Sequence, residues 1–104
     1  MRGEILKTPT NNMEKADFIL NLKKLGGVES ASGIYYRIDS VSDKYVIGTR
    51  LSTLKEFKIE TDGLFWAYND VLTGKIPMTT TALRSYVNRT QSPALAIIMS
   101  LRKL

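Results

Sequence analysis

Apolar residues along this chain are spaced first at a helical period, then in strict alternation, then at a helical period again. Residues 1–11, with Pro9, Thr10 and Asn11, read as an irregular lead-in. Met13, Ala16, Ile19 and Leu20 then form a helical stripe, joined less regularly by Phe18 and Leu22. Asn12 stands where an N-cap belongs, and Lys23-Lys24 suit the negative end of the helix dipole. Gly26-Gly27 supplies a stop, because a left-handed residue costs glycine little. Three alternating segments follow at 33–39, 44–50 and 54–60. Ile34, Tyr36 and Ile38 oppose Tyr35, Arg37 and Asp39 in the first, and Phe57 and Ile59 oppose Glu56, Lys58 and Glu60 in the third. The breaks between them leave no room for a crossover helix, so these strands pair antiparallel.

Helical spacing returns at Leu64, Phe65, Tyr68, Val71 and Leu72, with Thr61 or Asp62 as the cap and Gly74 as the stop. The threonines at 79–81 offer a cap for a second helix over 80–88. Ser92-Pro93 is a cap and first-turn proline for a third helix over 93–101, apolar nearly all round and therefore buried. The pattern predicts an α+β fold: an N-terminal helix, a three-stranded antiparallel β-meander, and three C-terminal helices packed on one sheet face. Residues 12–104 make a single domain, and the 104-residue chain has an ordinary globular composition, 43% hydrophobic and 24% charged.

Charge changes the picture. Residues 1–70 carry ten Lys/Arg and ten Asp/Glu, whereas Lys75, Arg84, Arg89, Arg102 and Lys103 follow Asp70 with no carboxylate among them. The net charge of +5 thus belongs to the last third, an asymmetry that points to an anionic partner. Cysteine and histidine are absent, which excludes disulfides, thiolate sites, triads built on histidine and zinc sites of the usual kind. No cofactor is expected. Residues 1–9 lack the apolar core of a signal peptide, and no apolar run reaches membrane-spanning length, so the expected address is the cytoplasm and no membrane contact is expected.

Drawn as a helix, 80–88 sets Leu83, Val87 and Tyr86 on one side and Thr80, Arg84 and Asn88 on another, flanked by Thr81 and Ser85. Arginine can donate to guanine, asparagine can read adenine, and hydroxyls serve phosphates. With Lys75, Arg89, Arg102 and Lys103 on phosphates, 62–89 reads as a helix-turn-helix-like binder of duplex DNA, although the 74–79 connector is longer than the usual turn. The plainer reading is a solvated polar face. A second function class is a protein-interaction or accessory domain, with a partner or second copy covering a patch of Ile97, Ile98, Met99 and Trp66. Trp66 by itself is expected in the core. Of the adjacent Tyr35 and Tyr36, one must face away from the other; beside Arg37 an exposed ring there can stack a base, but the preferred reading is a β-forming tyrosine with its ring packed and its hydroxyl wet. Finally, Glu56-Phe57-Lys58 with Asp39 or Asp43 upstream resembles the acidic residue plus E-x-K arrangement of a widespread nuclease superfamily. That resemblance implies Mg²⁺ held by two carboxylates, with Lys58 placing a water.

Overall fold

Helix α1 (Lys15–Lys23) opens the region, residues 14–104, that the computed structural model describes. The lead-in over 1–11, the Asn12 cap and Met13 lie outside the described residues. Glu14 takes the N-cap position without a side-chain bond. The buried face of α1 is Phe18 and Leu22, one turn apart, while Ala16 is exposed and Leu20 is 58% exposed. The stripe expected through Ala16, Ile19 and Leu20 is therefore corrected. Phe18 determines which face turns inward: its ring sits edge-on to Phe65 at 5.2 Å and tilts over Tyr68 at 5.5 Å.

The chain leaves α1 by a tightened turn, with the Lys24 and Leu25 amides donating to Asn21 and Leu22 carbonyls. Gly26 and Gly27 are not left-handed there. Gly27 instead begins a strand, β1 (Gly27–Glu29), followed by β2 (Tyr35–Val41), β3 (Tyr45–Arg50) and β4 (Lys55–Glu60). The sheet thus has four antiparallel strands in the order β1-β2-β3-β4, not three. A three-residue strand with one apolar side chain, Val28, leaves no alternation to detect.

Val28 pairs with Tyr36, Ile38 with Gly48, Gly48 with Phe57 and Val46 with Ile59. These residues line the face that meets the helices, where Val28, Tyr36, Val46 and Ile59 join the core. Gly48 is required at the centre, because a Cβ there would lie 2.4 Å from the Arg37 carbonyl oxygen and from Phe57 Cζ. The register shifts between Ile38 and Ser40, leaving Asp39 as a bulge residue on the outer face.

Helix α2 (Thr61–Leu72) follows β4 directly, with Glu60 rather than Thr61 or Asp62 as N-cap. Thr61 is fully buried and satisfied, its hydroxyl donating to the Ser42 carbonyl and its amide to that of Lys44. Leu64, Phe65 and Tyr68 are buried and Val71 and Leu72 half-buried, as the spacing predicts, and Gly74 ends the helix at φ +80°. Helix α3 is one turn (Thr80–Leu83), and α4 (Gln91–Leu101) buries Ala94, Ala96, Ile97, Ile98 and Leu101. Helix α1 packs on β2, α2 on β4 and α4 on β1. No helix among the described residues is long and apolar enough to cross a membrane.

Candidate nucleic-acid interface

The segment after α2 is pinned before it is exposed. Past Gly74, the amides of Lys75 and Ile76 both donate to the Asp70 carbonyl. Thr79 then caps α3, its hydroxyl accepting from the Ala82 amide at 3.2 Å. The helix expected over 80–88 stops at Leu83. Beyond it the Tyr86 and Val87 amides both donate to the Leu83 carbonyl, and Arg89 turns left-handed at φ +66°.

The cause of this early stop lies in α2. A Cβ on Gly63 would stand 2.3 Å from the Tyr86 carbonyl oxygen, so the chain rests directly on the first turn of α2 at the position without a side chain. The Tyr86 hydroxyl then donates to Asp70 at 2.5 Å, about two helical turns further along α2. That bond raises the phenol's pKa above its usual value, burial and the Asp70 charge adding to it. Tyr86 thus lies along α2 and draws the backbone out of helical geometry.

Leu83 and Val87 are buried and Tyr86 half-buried, and Thr80, Thr81, Arg84, Ser85, Asn88 and Arg89 are exposed. The division into inner and outer residues therefore matches the sequence, but Thr80, Arg84 and Asn88 do not form one ladder on a helix. A four-residue α3 presents no reading helix to a groove, which corrects the helix-turn-helix expectation. Lys75 is exposed in the connector, and Arg102 and Lys103 are exposed past the far end of α4. The eleven residues of α4, about 16 Å of helix, intervene between Arg89 and these last two. Among the described residues none of the five cations forms an ion pair; the pairs present are Lys15 with Asp62 and Arg37 with Asp39.

The other sequence candidates are also placed. Ile97 and Ile98 are wholly buried, so the expected partner patch does not form around them. Trp66 is 58% exposed instead of in the core, its ring 5.3 Å from Phe65. Tyr36 points inward, whereas Tyr35 is 56% exposed on the outer face. Glu56 and Lys58 share that face with Asp39, but β3 lies between them and Asp39, about 10 Å across two strand spacings. Among the described residues no three Asp, Glu, His or Cys gather as a metal site. Lys58 stands over the Tyr45 ring at 4.5 Å.

Asp39 accepts from the Thr49 hydroxyl and from Arg37 Nε, each at 2.6 Å. The Thr49 bond first, then Arg37, holds its carboxyl below the ordinary 3.8. A carboxyl depressed by folding stabilises the protein above its unfolded pKa and loses that contribution as pH falls through the folded value. Asp39→Asn should therefore lower the urea midpoint at pH 6, and the gap from the unsubstituted protein should narrow as pH falls below the ordinary 3.8 and through the folded value. An undiminished gap at low pH would show the loss to be steric.

Comparison with protein families, curated proteins and solved structures gives no match, so the functional reading rests on the residues themselves.

Proposed function

We propose that this chain is a small non-enzymatic nucleic-acid-binding protein that grips the phosphate backbone, duplex DNA in the first instance, through its C-terminal third. The observation that carries this is the exposure of all five cations after Asp70, with no ion pair to any carboxylate among the described residues. A cation already paired has less to offer a phosphate, and none of these five is paired among the described residues. With α3 a single turn, Arg84, Arg89 and Lys75 act on phosphates rather than on base edges, while Thr80, Thr81, Ser85 and Asn88 add hydrogen bonds to phosphate and sugar. Arg102 and Lys103 extend the footprint by the length of α4, close to five base-pair steps of about 3.4 Å.

Fluorescence anisotropy of labelled duplex DNA at low salt tests this reading. Binding is expected, with the duplex intact in the presence of Mg²⁺, and Arg84→Ala/Arg89→Ala should weaken it about tenfold or more at 50 mM salt. Absence of binding to both duplex and single strand at low salt would overturn it. The exposure of Trp66 and Leu20, each 58%, favours a second reading as a protein-interaction domain in that event.

A further inference from the structure

A cavity of about 380 Å³ opens at the β1 end of the sheet, and neither Arg84 nor Arg89 lines it. Gly26 and Gly27 contribute bare backbone to it, and Tyr35, Arg37 and Leu51 contribute side chains. Its shape follows from register. Gly27 stands opposite Arg37 in the β1–β2 ladder and brings no side chain to the outer face there, while the Arg37 guanidinium turns to Asp39 and Thr49. Tyr35 is 56% exposed and Leu51 44%, which leaves an open aromatic wall and an open aliphatic one. The bond from Arg37 Nε to Asp39 fixes the guanidinium in place.

The lining holds one cation, Arg37, already bonded to Asp39, and one carboxylate, Glu29. Exposed Lys23 and Lys24 precede Gly26 by two or three residues, and exposed Arg102 and Lys103 follow Ser100, which also lines the cavity. Four exposed cations thus lie within three residues of the lining, while the carboxylate in the lining, Glu29, opposes Tyr35 across the ladder. With the Arg37 charge already met by Asp39, the Glu29 carboxylate disfavours a phosphate inside, and the cations close to the lining in sequence favour phosphates outside it. A flat, uncharged ring bearing an N–H donor suits the interior: it can stack on Tyr35 over bare backbone and donate to Glu29.

We propose that this cavity takes one unpaired nucleobase of a single-stranded segment, stacked on Tyr35, with Lys23, Lys24, Arg102 and Lys103 holding the phosphates on either side. The assignment rests on the nucleic-acid reading above and adds to it a base contact that the Arg84 and Arg89 surface does not supply.

The test compares a labelled twelve-nucleotide cytosine strand with an abasic strand carrying the same number of phosphates. Two variants accompany it. Tyr35→Ala removes the stacking ring, and Gly26→Leu fills the opening at a position where an added Cβ meets nothing within 4 Å. The base-bearing strand should bind more tightly than the abasic one. Each variant should weaken only the base-bearing strand, by roughly 5- to 150-fold, and leave duplex affinity unchanged. Equal binding of the two strands, or variants that bind the cytosine strand as the unsubstituted protein does, would overturn the assignment while duplex binding keeps the wider reading. If neither strand nor duplex binds at low salt, both fall together.

Discussion

Replacing Phe18 by alanine should destabilise the protein by about 3–5 kcal/mol, the range for deleting a fully buried aromatic ring. Phe18 has no exposed surface, and its ring touches the rings of Phe65 and Tyr68, joining α1 to α2. Removing it takes away apolar burial and leaves a void between two helices, and a nine-residue helix has few other contacts with which to re-seat itself. Since a domain of this size is stable by about 5–15 kcal/mol, the loss is a large part of the whole. Leu20→Ala, at a position 58% exposed on the same helix, should stay within about 0.5 kcal/mol. Chemical denaturation of both variants checks the contrast; comparable losses would mean that α1 turns a different face to the sheet.

Gly63→Ala should cost about 1–3 kcal/mol, or more, although alanine is the better helix former. Its Cβ would lie 2.3 Å from the Tyr86 carbonyl oxygen, an atom of backbone that cannot swing away as a side-chain tip can. Relief requires moving the segment that runs from α3 to α4, together with the Tyr86–Asp70 hydrogen bond and the buried Leu83 and Val87. The same movement displaces Arg84 and Arg89. Denaturation midpoints should fall and duplex affinity should fall with them. A variant as stable as the parent would show that Tyr86 does not rest on α2.

These two positions also mark where sequence patterning reaches its limit. Strands β2 to β4 and helices α2 and α4 are legible because each buries one face or nearly all of itself over six residues or more, so the period survives single exceptions. In α1 the stripe through Ala16, Ile19 and Leu20 is the more regular, yet Phe18 and Leu22 turn inward because Phe65 and Tyr68 are there to meet them. The length of α3 is set the same way. Nothing within 80–88 announces the stop at Leu83; the cause is a glycine seventeen residues or more upstream. Gly27 was legible as a glycine but not as a strand residue, since β1 has only Val28 to bury. Trp66 follows Phe65 into the sequence of an apolar helix, but only one of two adjacent rings can face the core. For the interface, the charge imbalance and the outward positions were readable from residue type and spacing. The pinning of 75–89 by Asp70 and Gly63 was not, because it depends on contacts between elements.

Contact between the cations after Asp70 and phosphates makes duplex binding depend on salt. Duplex affinity measured across a salt series tests it most directly. The expected result is a log–log slope close to −0.9 for each phosphate neutralised, and a slope shallower by about 1.8 in Arg84→Ala/Arg89→Ala. A duplex affinity that does not change with salt, or a double variant with the parent's slope, would contradict it.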